Sequence, residues 1–128
     1  KEAIETFLAR LRPLCKLEVT EIKDSNIKEE SKKVLELIKK RERSKIITLS
    51  EEGKQFTSIE FSERYKMQEQ DLVFIIGGPE GLTKEVKDKS NEVLSLSGMT
   101  FLHEMARLFL IEQIYRAQKI IRGGSYHK

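Results

Sequence analysis

The continuous apolar segment at residues 71–76 constrains the fold more than any other feature of this sequence. Five apolar residues follow Asp71 without a polar interruption, and the segment ends directly in the loop Gly-Gly-Pro-Glu-Gly at 77–81. Such a strand is typical of a parallel sheet that helices cover on both faces, so we expect it to be buried on both sides. Because ligands of open α/β sheets bind at the carboxyl ends of the strands, residues 77–81 form a candidate binding loop.

Helical and strand patterns alternate along the rest of the chain. Apolar spacing predicts five helices. The first covers residues 2–11, the second follows a polar connection at 25–30, and the third runs from a Ser58 N-cap to Met67. The fourth runs from a Thr83 N-cap to about residue 90, and the fifth covers 103–121. Apolar and β-branched runs predict strands at 17–22, 46–49 and 93–96, with a polar turn at 50–55 around Gly53. The alternation predicts a single α/β domain over residues 1–128 with a largely parallel sheet.

Composition narrows the class of protein. The 128 residues carry a formal net charge of +3, which suits one folded domain. A single cysteine and two histidines argue against a disulfide and against a metal site. No apolar run approaches the roughly 20 residues of a membrane span and no leader pattern opens the chain, so we expect a cytoplasmic protein. From Tyr115 onward there are basic but no acidic residues, which favours either phosphate contacts or a solvated helix end.

Three segments are candidates for chemistry, each with a plain alternative. The loop at 77–81 lacks the GK[ST] ending and the GxGxxG pattern of known phosphate loops, so it is also consistent with a tight turn. Residues 94–100 can offer backbone groups to an adenine edge and Met99 as an apolar wall, or form an ordinary connection. The ending pairs Tyr126, which can stack on a base, with His127, whose imidazole can relay or accept a proton; the alternative is a frayed terminus.

The last predicted helix carries further candidates. His103 and Arg107 lie at i and i+4 near its start, and Glu112 with Arg116 most simply forms a salt bridge. Apolar residues occur almost all round this helix, which predicts central burial or a dimer interface.

Three blocks of the sequence resemble one known family. IIGGPEGL at 75–82, SLSGMTFLHEMAR at 95–107 and LIEQIYRAQKIIRGGSYHK at 110–128 are similar to the RlmH-type ribosomal RNA methyltransferases of the SPOUT superfamily. The resemblance implies an α/β fold with a deep trefoil knot at its C-terminal end, an exception to the rule of unknotted connections. It also implies a homodimer that binds S-adenosylmethionine and methylates N3 of a pseudouridine in large-subunit ribosomal RNA.

The resemblance further implies roles for individual residues. The implied cofactor-binding residues are Leu49, Gly77, Gly78, Leu96, Ser97, Gly98, Met99, Thr100 and Phe101. The implied substrate-binding residues are His103, Arg107, Arg122 and Lys128. The implied catalytic residues are His127, Tyr126 and Arg116, with His127 either removing the proton of the target nitrogen or orienting the base.

The sequence departs from the family pattern in two places. Leu102 stands where the family usually has proline before the histidine, which affects the rigidity of the knot exit. The family also begins with a short strand, so we expect that strand to precede Lys1 and to be missing from this chain. The alternative to an enzyme is a non-catalytic dimer that binds the ribosome or RNA and keeps the fold.

Overall fold

The computed structural model describes residues 2–22, 26–66, 70–78 and 81–127 as an α/β fold. Its helices are α1 (Glu2–Leu11), α2 (Ile27–Lys40), α3 (Ser58–Arg64), α4 (Lys84–Lys89) and α5 (His103–Ile121), and its strands are β1 (Lys45–Gln55), β2 (Leu72–Ile75) and β3 (Glu92–Ser95). The strands are parallel and lie in the order β2–β1–β3. The predicted α/β class and parallel sheet are therefore confirmed.

The central strand β1 lies between two helical layers. Ile47 belongs to the main hydrophobic core, together with residues of α1, α3 and α5. Its neighbours Ile46 and Thr48 are also buried, but they face the other side of the sheet. There the Thr48 hydroxyl hydrogen-bonds that of Ser90, at the end of α4. Because α5 packs on α1 and α3, the last helix lies in the layer that holds the main core.

The helix predictions are largely confirmed, with differences at three helix ends. α1 and α5 have the predicted bounds, and Thr83 caps α4. α2 begins inside the predicted connection, because the Asn26 side chain accepts a hydrogen bond from a backbone N–H of the first turn. The N-cap of α3 is Thr57 rather than Ser58, since Thr57 forms a capping box with Glu60.

The end of α3 was also predicted too late. The helix ends at Arg64 with Tyr65 as its C-cap, and Met67 lies outside the described residues. None of the helices in the described ranges has the length and hydropathy of a membrane span.

The predicted polar turn at 50–55 is wrong, because β1 continues through it. Leu49 and Lys54 both face Leu94, so the ladder with β3 shifts register between them. A Cβ atom on Gly53 would lie 2.6 Å from the carbonyl oxygen of Val93. The glycine therefore permits a close strand approach rather than a turn.

The predicted strand at 17–22 is also wrong: within the described ranges, these residues pair with no strand. Their alternating pattern has another cause. Glu18 accepts a hydrogen bond from Arg41 at 2.8 Å and Glu21 accepts one from Arg107 at 2.7 Å, while Val19 stays 45% exposed. The acidic side chains thus hold this segment against the rest of the fold through ion pairs.

The apolar segment at 71–76 forms a strand, but not the doubly buried one that was expected. β2 pairs with β1 on one side and is an edge strand of the described sheet. All four of its residues are half-buried, whereas the deeply buried strand residues lie in β1 and β3. Leu72 and Phe74 pack against the main core, and Val73 and Ile75 are half-buried on the other face, so the apolar run is accounted for without a second neighbouring strand.

Candidate functional site

The carboxyl ends of the three parallel strands meet at one edge of the sheet. Thr48 of β1 pairs with Ile75 of β2, and Leu49 pairs with Leu94 of β3. Gly77 and the loop at 96–101 therefore lie just beyond the ends of β2 and β3, and Leu49 lies beside them in β1, directly before its register shift. This is the edge at which α/β folds bind ligands, so the structure brings the predicted cofactor-binding segments to one place.

The glycine loop after β2 forms a tight turn. The Gly81 N–H donates to the Gly78 carbonyl at 2.9 Å, and Gly81 has a φ of +79°. A Cβ atom on Gly77 would lie 2.8 Å from the carbonyl carbon of Gly81 and 2.9 Å from the Leu82 side chain. Gly77, Gly78 and Gly81 therefore pack closely, and residues 79–80 lie outside the described part of the chain.

His103, the first residue of α5, is hydrogen-bonded to this loop. Its Nδ1 atom lies 2.7 Å from the carbonyl oxygen of Gly77. A carbonyl only accepts hydrogen bonds, so Nδ1 carries the hydrogen. The imidazole thus lies beside the predicted cofactor loop, at the amino end of the helix.

The loop between β3 and α5 is ordered by its own side chains. The Ser95 hydroxyl donates to the Ser97 carbonyl at 2.7 Å, and the Ser97 hydroxyl accepts from the Met99 N–H at 3.1 Å. The Thr100 hydroxyl donates to Glu51 at 3.2 Å. Met99 itself is 73% exposed, so it packs on little within the chain and remains available as an apolar contact.

A cavity of about 340 Å³ lies between the start of α3, the end of β3 and α5. It is lined by Phe56, Thr57, Ser58, Phe61, Leu94, Ser95, Leu96, Phe101, Phe109, Glu112 and Gln113. Leu96 and Phe101 also belong to the predicted cofactor set. Sequence reasoning missed Phe109 and Gln113 as site residues, although their i, i+4 spacing places them on one face of α5.

A polar cluster joins α5 to the end of the chain; we call Glu112, Arg116, Tyr126 and His127 the Glu112 cluster. The Tyr126 hydroxyl donates to Glu112 Oε2 at 2.6 Å, and Arg116 Nη2 donates to the same oxygen at 2.7 Å. Arg116 Nη1 lies 3.1 Å from His127 Nδ1. The three predicted catalytic residues are thus brought together by Glu112, for which the sequence predicted only the salt bridge to Arg116.

Aromatic packing holds Tyr126 in this cluster. Its ring lies edge-on to Tyr115 with the ring centres 4.8 Å apart, and the Arg116 guanidinium lies 4.8 Å from its centre. Burial, and then the hydrogen bond to Glu112, raises the pKa of Tyr126 above its ordinary value of 10. The hydrogen bond to Glu112 raises the pKa of Arg116 as well. The phenol therefore stays protonated and the guanidinium stays charged at neutral pH.

Two of the predicted substrate-binding residues, Arg107 and Arg122, make their contacts outside the Glu112 cluster. Arg107 donates to Glu21 at 2.7 Å and lies 3.9 Å from Glu104. Arg122 donates to the Leu14 carbonyl at 2.8 Å. Both arginines therefore hold the N-terminal segment in this structure, and Lys128 lies outside the described residues.

Comparison with known proteins identifies the family of the chain. The family described as "Predicted SPOUT methyltransferase" matches residues 1–127. Proteins named ribosomal RNA large subunit methyltransferase H, from three strains of Prochlorococcus marinus, are 48%, 44% and 47% identical over 100%, 88% and 88% of this chain and 86%, 74% and 77% of their own lengths. The crystal structure of Archaeoglobus fulgidus Nep1 bound to S-adenosylhomocysteine is 13% identical over 92% of this chain and 50% of that chain, with a TM-score of 0.40. On its family match and the identity of these relatives, the chain belongs to the SPOUT methyltransferase family.

Proposed function

We propose that the protein is an S-adenosylmethionine-dependent methyltransferase that modifies N3 of a pseudouridine in large-subunit ribosomal RNA. The observation that carries this proposal is the 44–48% identity, over 88% or more of the chain, to proteins named ribosomal RNA large subunit methyltransferase H. SPOUT methyltransferases use S-adenosylmethionine as their methyl donor. The choice of N3 and of pseudouridine follows from the family resemblance of the three sequence blocks.

The residues at the carboxyl edge of the sheet fit this cofactor. Leu49, Leu96 and Phe101 offer apolar surface for an adenine ring, and the turn at Gly77 has no room for a side chain, so the backbone itself lines the edge. Gly78 and the loop residues 97–100 complete the proposed set, with backbone groups and the exposed Met99 side chain. When bound, S-adenosylmethionine supplies a methyl group on a positively charged sulfur.

The Glu112 cluster and the basic helix end form the proposed substrate side. Tyr126 has an apolar ring that can stack on a base, and Arg116 stays charged and can meet a phosphate. His103 lies at the cofactor edge, where it can meet the substrate beside the glycine loop. Arg107 and Arg122 can bind phosphates after they exchange Glu21 and the Leu14 carbonyl for RNA, and Lys128 extends the same basic end.

The surface of α5 supports the proposal of a homodimer. Leu102, Met105 and Phe109 are 80%, 42% and 36% exposed, and Ile121 is 39% exposed. Exposed apolar residues along one long helix are typical of a surface that a second subunit covers. Light scattering at micromolar protein tests the dimer, and a clean monomer would contradict it.

The proposal also includes the family's C-terminal trefoil knot and a cytoplasmic location with the ribosome.

The experiment that tests the function is mass spectrometry of ribosomal RNA after incubation with the protein and isotopically labelled S-adenosylmethionine. We expect one labelled methyl group on a pseudouridine. Calorimetry with S-adenosylhomocysteine is the companion measurement. No binding at millimolar ligand together with no labelled nucleotide would favour the non-catalytic RNA-binding dimer instead.

A further inference from the structure

The two histidines of the chain make hydrogen bonds of opposite sense. His103 Nδ1 faces the carbonyl oxygen of Gly77 at 2.7 Å, and an acceptor there requires a hydrogen on Nδ1. His127 Nδ1 faces Arg116 Nη1 at 3.1 Å, and a guanidinium only donates. His127 must therefore accept at Nδ1. In a neutral imidazole, its one hydrogen then lies on Nε2.

The Arg116 guanidinium that imposes this state is itself fixed. Its Nη2 and Nε atoms point at Glu112, at 2.7 Å and 3.4 Å, which leaves Nη1 for His127. The Tyr126 ring lies 4.8 Å from the guanidinium carbon. The side chains of Arg116 and Glu112 are 24% and 18% exposed, so water competes weakly for these bonds. Glu112 thus acts as a positioning residue for the whole cluster.

We propose that His127 is held as the neutral Nε2–H tautomer and donates a hydrogen bond to a carbonyl oxygen of the target base, rather than removing the proton of its ring nitrogen. This rests on the proposed function. A base needs a free lone pair, but the lone pair on Nδ1 is engaged by Arg116 and Nε2 has none. A hydrogen on Nδ1 would point at Arg116 Nη1, 3.1 Å away, which has no lone pair to accept it.

The donor role fits the chemistry at N3. This nitrogen lies between two carbonyl groups, so negative charge spreads onto their oxygens as its proton leaves, and a fixed N–H donor stabilises that charge. In the step, the nitrogen electron pair forms the N–C bond, the C–S bond breaks with its pair on sulfur, and the N3 proton passes to a water molecule. His127 gains and loses no proton.

Nuclear magnetic resonance reads the tautomers directly. The full-length protein, labelled with ¹⁵N at histidine, is studied by long-range ¹H–¹⁵N correlation at mildly alkaline pH, and His127→Gln assigns the two rings. We expect the hydrogen on Nε2 of His127 and on Nδ1 of His103. In Glu112→Gln we expect His127 to become a mixture of tautomers while His103 is unchanged. A hydrogen on Nδ1 of His127 in the wild-type protein would overturn the proposal.

A matched pair of variants separates the donor from the base. His127→Gln keeps an N–H donor near the Nε2 position, and His127→Glu keeps a basic acceptor instead. We expect His127→Gln to retain methyl transfer within about tenfold and His127→Glu to lose roughly 10² to 10³ of the rate, the usual loss when one donor to a developing negative charge is removed. The reverse ranking would overturn the donor role. If the wild-type protein methylates no RNA, the proposed function fails, while the resonance experiment still decides the tautomer.

Discussion

Two glutamates of this fold each bind an arginine and a tyrosine, one at the amino ends of the strands and one near their carboxyl ends. Glu92, the first residue of β3, accepts from Arg64 at 2.5 Å and 3.0 Å and from the Tyr65 hydroxyl at 2.7 Å. Lys45, the first residue of β1, adds an ion pair to Glu92 at 2.9 Å. We call these four residues the Glu92 cluster. It lies at the amino ends of the strands, whereas the Glu112 cluster borders the cavity at their carboxyl ends.

The two carboxylates are equally buried, with 17% and 18% of their side chains exposed, so burial does not distinguish them. What differs is what they connect. Glu92 joins α3, β1 and β3, which are elements of the main core. Glu112 joins its own helix to the last residues of the chain. The same residue types therefore connect core elements at the amino ends of the strands and order the last residues of the chain near the carboxyl ends.

The largest expected effect comes from removing residues 125–128. The deletion takes away Tyr126 and His127 but leaves the Glu112–Arg116 ion pair within α5. We expect methyl transfer to fall by about 10³ or more, because proximity and orientation of the reacting groups are lost together. S-Adenosylhomocysteine binding should change little, and the melting temperature should fall only by the lost packing and hydrogen bond of Tyr126. Wild-type methyl transfer by the truncated protein would remove the tail from the mechanism.

Glu112→Gln tests the positioning role of the second cluster. The amide still accepts hydrogen bonds, but it loses the charge that holds Arg116 and the Tyr126 hydroxyl. We expect methyl transfer to fall about 10- to 100-fold, since hydrogen bonds to charged groups contribute more than neutral ones. Steady-state kinetics with labelled cofactor measures this change.

The matched control is Glu104→Gln on the same helix. Glu104 is 58% exposed and lies 3.9 Å from its partner Arg107, so its loss should leave the rate within about twofold. Equal losses from both variants would show that the Glu112 cluster has no special role.

Glu92→Gln is expected to have the opposite profile, with lower stability and nearly unchanged activity. Burial alone would raise the pKa of Glu92, but hydrogen bonds from Arg64, Lys45 and Tyr65 lower it from 4.5 to about 2. We expect the variant to lose about 2 kcal/mol of unfolding free energy, less than the full shift implies because the amide still accepts hydrogen bonds. Denaturant unfolding at pH 7 measures the loss, with Glu63→Gln, an exposed partner of Lys66, as the control.

The stabilisation by Glu92 also has a defined pH range. Since the pKa is lowered in the folded state, the contribution is complete above the ordinary value of 4.5 and is lost as the pH falls from there through about 2. Wild type and Glu92→Gln should therefore differ most in stability above pH 4.5 and converge in strong acid. A constant difference across this range would contradict the ionic origin of the effect.

Local sequence patterns predicted the five helices and the three observed strands of the described residues, but wrongly added a strand at 17–22 and a turn at 50–55. The apolar period of α1 and α5 lies within each helix, so their ends could be placed correctly from the sequence. A strand needs a partner that is distant in the chain. The alternating acidic residues at 17–22 form ion pairs with Arg41 and Arg107, and Gly53 allows β1 to approach β3 closely. In both cases the partner is distant in the sequence, so the local pattern does not reveal it.

The candidate site shows the same limit. Motif resemblance selected Tyr126 and His127 in advance, and the structure places them together with Arg116. Glu112 also binds Tyr126, which lies 14 residues later in the chain and reaches it only because the chain folds back after α5. The i, i+4 spacing could therefore predict only the bond between Glu112 and Arg116. The tautomers of His103 and His127 depend on partners outside their own segments and could not be predicted either.

The smallest expected effect is a change in the pKa of one tyrosine, which we compare between the two clusters. The pKa of Tyr65 is raised above 10 by burial and by Glu92, and that of Tyr126 by burial and by Glu112. Glu112→Gln should therefore lower the pKa of Tyr126 toward 10 and leave Tyr65 unchanged. Because the folded-state pKa is raised, the stabilisation from Tyr126 is complete below pH 10 and is lost as the pH rises through the folded value. Ultraviolet absorbance of tyrosinate follows the titration, and Tyr126→Phe assigns it. An unchanged titration of Tyr126 in Glu112→Gln would mean that burial alone sets its pKa, and the two clusters would then differ in what holds their tyrosines.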